Sequence, residues 1–449
     1  MNNKTHNFFS ILSLLILSIA NKSEAAGGLD ATFGANGKVT TDFASHNDEV
    51  HALAIQPDGK ILAVGQALFS GIADFALVRY NGNGTLDASF GNSGKVATDF
   101  SSASDQAFAV ALQPDGKIIA GGVARMGSRT LFGIARYNSN GMLDTTFGSG
   151  GKMTTTFSQF GGNEAFAMAL QTDGKILLAG RALINNNFNF ALARFNSDGT
   201  LDTTFDTDGK VTTAIGTSSG ARGIALQPDG KFVVVGFAIG ASTDFALARY
   251  NADGLLDPNF GVNGTATTGF GTGDDYILAV ALQPDGKLAV AGVSRNSPGE
   301  LDTFALARYT PSGGLDSSFG ANGKVVTSII SQDGNGAKAI ALQANGKIMV
   351  AGYTFLNAPI GAPNRSDFAL ARYNPNGTLD ISFGTSGGIL TTDFVSNFDG
   401  ANALAIQSDG KIIVAGFARD NISNNFGLAR YIPGDSVITL DLIFRDGLE

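Results

Sequence analysis

Gln227-Pro228-Asp229-Gly230-Lys231, then Phe245-Ala246-Leu247-Ala248-Arg249-Tyr250, then Leu256-Asp257-Pro258-Asn259-Phe260-Gly261 follow one another in the middle of the chain, and this order of motifs recurs seven times. The Gln-x-Asp-Gly-Lys element stands at residues 56–60, 113–117, 171–175, 227–231, 283–287, 343–347 and 407–411, with Asn345 in place of Asp in the sixth copy. The arginine of the second motif recurs as Arg79, Arg136, Arg194, Arg249, Arg308, Arg372 and Arg430. Leu-Asp supplies Asp30, Asp87, Asp144, Asp202, Asp257, Asp316 and Asp380, at spacings of 57, 57, 58, 55, 59 and 64 residues. Three residues after each Asp comes a Phe: Phe33, Phe90, Phe147, Phe205, Phe260, Phe319 and Phe383. Such a period marks an array of supersecondary units.

Each unit holds four short runs rich in Val, Ile, Leu, Phe and Ala, separated by Gly, Asn and Asp; in the first unit they are residues 50–56, 60–66, 74–80 and 94–99. These are strand signals. The link Gln56-Pro57-Asp58-Gly59-Lys60 is a hairpin turn: Pro pre-sets φ, Asp tolerates the next position, and Gly takes the left-handed conformation. Runs such as Phe232-Val233-Val234-Val235 show no polar alternation, so both faces must be covered. Four-stranded units covered on both faces and repeated seven times describe an all-β, seven-bladed β-propeller with four antiparallel strands per blade. A β-solenoid competes, but its repeat is shorter and its ends need caps. The chain ends discriminate. Residues 37–43 form a spare fourth-type strand before the first hairpin, and that strand is missing after residues 426–431. The expectation is that residues 37–43 close the ring as the outermost strand of the seventh blade.

Before the repeats, residues 1–25 carry one early Lys, an apolar run over 8–20 and small residues up to Ala25, the pattern of a secretory signal. The apolar run is shorter than the ~20 residues that span a bilayer. The expected division is a leader over 1–25, a propeller over 26–433 and a tail over 434–449, with no membrane span after the leader and an exported protein, periplasmic or extracellular. Zero Cys excludes disulfides, thiolate nucleophiles and Cys-based metal centres, and three His are too few for a His-rich one. The net charge of -9 argues against a nucleic-acid partner, which requires a basic face.

The three motifs in this order resemble the delta-sixty repeat family of bacterial exported and surface proteins, which is assigned to β-propellers. The likeness runs over residues 28–431, with Asp206 in place of a Gly and Asn345 in place of the turn Asp. It implies the fold and no general activity. The last residues, 441–449, look like short terminal tags on some exported proteobacterial proteins; the alternative is an apolar strand over 437–444 patching the seam of the ring.

A residue present in all seven units belongs to the frame, because a catalytic constellation is asymmetric. The seven Arg and seven Asp are therefore expected to pair, since an Arg in an apolar strand needs a carboxylate or carbonyls to offset desolvation. An anion- or calcium-binding role is the alternative. The turn lysines are expected to lay their stems along strand starts. Function is expected where the copies differ, on the rim formed by the two connections that carry no motif. The longest of these are residues 353–367, with Pro359, Pro363 and Arg365, and 293–302, with Arg295 and Glu300. Eight residues before each repeated Gln stands a polar residue: Asp48, Asp105, Asn163, Ser219, Asp275, Asn335 and Asp399. If these begin the innermost strands they ring the channel mouth. Such a collar could hold Ca²⁺, which takes several oxygens, but caps for local backbone groups are the simpler expectation.

Three classes of function fit these features. The first is a non-catalytic scaffold binding a protein, a surface polymer or its own copies, without a cofactor. The second is a carboxylate-dependent hydrolase or lyase at the channel mouth, for which Asp274-Asp275 and Asp48-Glu49, with His46 and His51 beside the latter, are the adjacent acid pairs. No Gly-x-Ser-x-Gly elbow stands by either His. The third is a carbohydrate binder using Tyr353, Phe355 and Phe188, against which zero Trp counts.

Overall fold

The computed structural model describes residues 26–43, 46–158, 161–330, 334–356, 365–394 and 398–434. The expected leader over 1–25, the tail beyond Gly434 and the centre of the 353–367 connection lie outside the described residues. The described residues form strands and loops with no helix, in seven four-stranded antiparallel sheets. Strands are numbered β1 to β28 in chain order. The first blade runs β2 (Asp48–Ile55), β3 (Ile61–Phe69), β4 (Ile72–Tyr80) and β5 (Lys95–Thr98). Five more blades repeat that order.

The seventh is assembled differently. Its strands β26 (Asp399–Ile406), β27 (Ile412–Arg419) and β28 (Asn424–Tyr431) are completed by β1 (Lys38–Thr41), with Lys38 opposite Ala429 and Thr41 opposite Phe426. The spare strand at the start thus fills the vacancy at the end. Backbone bonds extend the seam: Asp30 N–H donates to Arg430 O at 2.8 Å and Ile432 N–H to Gly28 O at 2.9 Å.

Each inner hairpin closes at its Gln-x-Asp-Gly-Lys turn, or Gln-x-Asn-Gly-Lys in the sixth blade. Gln56 N–H donates to Lys60 O at 2.8 Å, and Gly59 sits at φ 81°. Seven apolar cores follow, each shared by two neighbouring blades. One joins Leu177 and Phe190 to Phe232 and Val234; another joins Ile413, Phe426 and Leu428 of the last blade to Val50, Ile61 and Tyr80 of the first. That is why the middle strands are apolar on both sides. The blades are further stitched by a tyrosine hydroxyl that meets a threonine of the preceding blade's outer strand, as in Tyr80–Thr41 at 2.9 Å and Tyr431–Thr392 at 2.9 Å.

Because the core between the last and first blades takes Phe33 and Val39, and the core on the other side of the last blade takes Leu29, deletion of residues 26–43 should lower the melting temperature of the whole domain in one cooperative transition. Hydrogen exchange should show lost protection in all blades. Exchange raised only in β28 and its neighbours would contradict closure.

Candidate functional site

The repeated motifs converge on one buried cluster per blade. In every copy the Arg and Asp form an ion pair: Arg79–Asp87 at 2.8 Å, Arg136–Asp144 at 2.8 Å, Arg194–Asp202 at 2.7 Å, Arg249–Asp257 at 2.9 Å, Arg308–Asp316 at 2.8 Å, Arg372–Asp380 at 2.6 Å and Arg430–Asp30 at 2.8 Å. Each guanidinium lies 4.5–4.9 Å over the ring of the Phe that follows the Asp. Its Nη1 donates to a carbonyl of the next blade, from Arg79 to Ser139 O through to Arg430 and Gly82 O. The turn lysines join in, which corrects the expectation that they merely lay their stems along the strands. Lys117, Lys175, Lys231, Lys287, Lys347 and Lys411 reach the same carboxylates at 2.6–3.2 Å, and Lys60 lies 3.7 Å from Asp87. Burial alone would raise these acids, but hydrogen bonds from the residue two positions on and the nearby cations hold Asp30 and Asp87 down at about 2. Each of the seven carboxylates thus meets an arginine and a lysine together.

The seven polar positions, Asp48, Asp105, Asn163, Ser219, Asp275, Asn335 and Asp399, do stand within one residue of the start of the innermost strands. Their side chains, however, are fully buried instead of lining the mouth. Each accepts a backbone N–H. Asp48 takes Phe43 at 2.8 Å and Leu68 at 3.2 Å; Asp105 takes Phe100 at 2.7 Å and Arg125 at 2.8 Å; Asp399 takes Phe394 at 2.7 Å and Arg419 at 3.1 Å. Asp275 takes Phe270 at 2.7 Å, Asn335 takes Phe304 at 3.0 Å, Ser219 takes Phe190 at 3.3 Å and Asn163 takes Phe157 at 3.4 Å. They pin the crossing from one blade to the next. At two crossings further acids gather: Asp74, Asp99 and Asp105, and Asp367, Asp393 and Asp399, each bring three carboxylate oxygens within 4.8 Å of one another. A hard divalent cation such as Ca²⁺ would find its oxygens there. Burial, with repulsion from Asp393 and Asp367, pushes Asp399 up to about 7; burial chiefly raises Asp48 and Asp105 to about 6.

The asymmetric chemistry lies on the axis. Every innermost strand carries a β-bulge, and the bulged residues are His51, Phe108, Phe166, Arg222, Leu278, Lys338 and Asn402. The bulge drives a carbonyl against the second strand, so that position is glycine in all seven blades; a Cβ on Gly65 would lie 1.9 Å from Glu49 O and one on Gly236 2.0 Å from Gly220 O. The bulged side chains of four successive blades touch in an arc. His51 stacks on Phe108 at 4.6 Å between centroids, Phe108 meets Phe166 at 5.1 Å, and Arg222 lies 3.7 Å over Phe166. Asn402 donates to Glu49 Oε1 at 2.8 Å and Val50 O at 2.9 Å across the seam. One layer towards the variable rim, cross-strand pairs differ from blade to blade: Glu164 with Arg181, Gly220 with Phe237, Tyr276 with Val293, Gly336 with Tyr353. Arg181 donates to Glu164 at 2.7 Å and covers Phe188 at 4.2 Å. In the outer loops, Arg295 pairs with Asp302 at 2.7 Å.

The model of the domain of unknown function DUF5122 beta-propeller matches residues 56–90, 113–147, 171–205, 227–260, 283–319, 343–383 and 407–437, more than half of the chain. The chain belongs to this family. No curated protein matches it. Among solved structures, a Lactobacillus plantarum protein is similar at 15% identity and TM-score 0.47, covering 82% of this chain and 98% of its own. Chaetomium thermophilum Sqt1 bound to the N-terminus of the ribosomal protein L10 is similar at 13% identity and TM-score 0.46, covering 87% and 98%. The polysaccharide lyase Uly1 is similar at 10% identity and TM-score 0.44, covering 92% and 98%. At these identities the likeness is one of fold alone.

In this DUF5122 propeller the axial residues escaped sequence reasoning, apart from His51. A signal was present: the invariant Gly65, Gly122, Gly180, Gly236, Gly292, Gly352 and Gly416 sit in strands that otherwise favour large residues. An interior strand glycine marks a bulge or close backbone approach, and the bulge locates the residues.

Arg249→Ala should cost about 3–5 kcal/mol in urea denaturation, because Asp257 and the Pro311 carbonyl of the next blade lose their buried partner. A near-neutral result would refute the role of the cluster. The pH dependence has two limbs. Asp30, Asp87 and Asp257, held near 2, contribute stability present above the unfolded value of ~4 that is lost as pH falls through 2. Asp48, Asp105 and Asp399, raised to 6–7, contribute stability complete below ~4 that is lost as pH rises through 6–7. In chelator-containing buffer the melting temperature should therefore decline from pH 4 to 8, and less steeply in Asp399→Asn; an unchanged slope in that variant would contradict the assignment.

Proposed function

We propose that the chain is an exported, non-catalytic propeller scaffold that holds a partner protein or surface polymer on the rim built by its variable connections. The observation that carries this reading is the inequality of the two rims. One is fixed seven times by the Lys–Asp–Arg clusters, whose polar groups are engaged internally. The other varies in length and composition and opens onto the asymmetric axial residues. Rigid frames that carry variable loops are the common arrangement for binding. On this rim, hairpin tips of successive blades leave apolar side chains in solvent, among them Ile72, Met126, Leu301, Phe355 and Ile422.

The acid pairs considered for hydrolysis serve the frame. Asp48 and Asp275 are buried caps, Asp274 accepts Thr243 N–H at 3.1 Å, and Glu49 accepts from Asn402. His51 is stacked in the arc, where burial holds its imidazole neutral. These engagements favour binding over catalysis.

The test compares two quadruple variants of the exported chain. Ile72, Met126, Leu301 and Ile422 are changed to Ser on the variable rim; Leu86, Met142, Leu255 and Ile381 are changed to Ser on the opposite rim. Retention of envelope proteins or polymers from the producing cell should fall at least about tenfold in the first and stay unchanged in the second, a difference of ~1.4 kcal/mol. Equal loss in both, or loss only in the second, would overturn the reading.

A further inference from the structure

We propose that the axis of the ring binds an oxyanion, a carboxylate or phosphate carried on a ligand with an apolar or ring-shaped body, and that Arg222 and Lys338 grip it. This deepens the scaffold reading, on which it rests, by naming the chemistry received beneath the variable rim.

The argument starts from the placement of charge. The chain is acidic, with a net charge of -9, yet Arg222 and Lys338 stand on its axis at equivalent bulge positions two blades apart. Neither makes an ion pair among the described residues. The face of the Arg222 guanidinium rests on Phe166 at 3.7 Å, and its buried Nη1 has no hydrogen-bond partner. Glu164, the carboxylate that acts on it, is already held by Arg181 at 2.7 Å. Lys338 Nζ lies 5.7 Å over the Tyr353 ring, and Glu49, which acts on it, accepts from Asn402. Burial lowers both, with repulsion from Arg181 acting on Arg222, which falls to about 10, and repulsion from Arg222 acting on Lys338. His51 adds a second unsatisfied atom, its buried Nε2.

Folding does not require this. Leu278 occupies the same bulge position in the fifth inner strand, and Phe108 and Phe166 occupy it in the second and third. An apolar side chain is therefore accepted there, and an uncompensated buried cation is a cost that the frame could avoid. A guanidinium stacked by its face keeps its edge for two parallel bonds to a planar oxyanion. Lys338 supplies a point charge two blades away, and Phe108, Phe166 and Tyr353 make the surroundings of the two cations aromatic for the body that carries the anion. An anionic ligand would thus complete the charge, the donors and the shelf together.

The experiment titrates the exported chain calorimetrically with sodium glucuronate, with inorganic phosphate and with glucose as the uncharged control. Glucuronate or phosphate should bind and glucose should not; the tighter of the two identifies the source as a carboxylate or a phosphate. Arg222→Met should weaken that binding more than about tenfold while leaving the melting temperature equal or higher, since a desolvated charge has been removed. Lys338→Met, on a separate strand, repeats the test independently. Failure of both anions to bind, or variants that bind as the parent does, would overturn the proposal, as would a fall in melting temperature in both variants, which marks the cations as structural. The variable-rim serine variant should keep its affinity for the small anion. Loss of partner retention with oxyanion binding intact, or the reverse, therefore separates the failure of one reading from the failure of the other.

Discussion

A single arginine per blade, buried in an apolar strand, sets the terms for the rest of the ring. Its guanidinium cannot be left unpaired in that setting. Nε or Nη2 takes the Asp of its own blade, the face takes a Phe, and Nη1 takes a carbonyl of the next blade. The third bond turns a local pair into a joint between modules. In six blades the Asp lies eight residues after the Arg, but in the seventh the partner of Arg430 is Asp30, from the opposite end of the chain. The interaction that stabilises one blade therefore also closes the circle.

A second constraint acts at the inner edge. The bulge in each innermost strand forces glycine on its neighbour, and the bulged residue leaves the regular alternation of the strand. Seven side chains are thereby presented at the axis without a role in the blade-to-blade cores, which are built by the other residues of the same strands. Freed from packing, these positions hold an imidazole, two phenyl rings, a guanidinium, an isobutyl group, an amine and an amide. The frame repeats; the axis does not.

How much of this was legible depends on whether the responsible residues recur. The seven blades, the Pro-Asp-Gly hairpins and the completing strand could be read because Gln-x-Asp-Gly-Lys, Ala-Arg-Tyr and Leu-Asp-x-x-Phe repeat in fixed order, and because a spare strand at one end matched a missing one at the other. The place of Asp48, Asp105 and Asp399 at the strand starts was legible too, but not the direction of their side chains. One polar residue at a strand start can face solvent or turn back to cap an amide, and spacing is the same in both cases. Asn163 and Asn335 at equivalent places hinted at capping, since a neutral amide oxygen accepts N–H groups as Asp does. The lysines were expected only to lay their stems along strand starts, because the buried Asp of the outer loop is 26–33 residues further along in six blades, as between Lys231 and Asp257 or Lys347 and Asp380. The axial set was hidden because its members share no residue type.

Those facts bear on how such a ring can acquire different tasks. Stability resides in clusters that are repeated and internally satisfied, and in cores shared between neighbours. A substitution at an axial bulge touches neither. It alters the chemistry on the axis while the Arg–Asp–Lys joints and the glycine that accommodates the bulge stay as they are. Four of the five outer-strand lysines show the same separation from the other side: Lys38, Lys95, Lys152 and Lys324 each donate to a backbone carbonyl of the preceding blade and lie over a Phe, at 5.4–5.6 Å, so their charge serves the joint irrespective of what the axis carries. Charge placed on the frame is thus balanced within the frame. Arg222 and Lys338, which form neither an ion pair nor a hydrogen bond to a carbonyl among the described residues, are the axial exceptions, and they fall at the positions where folding imposes least on side-chain chemistry.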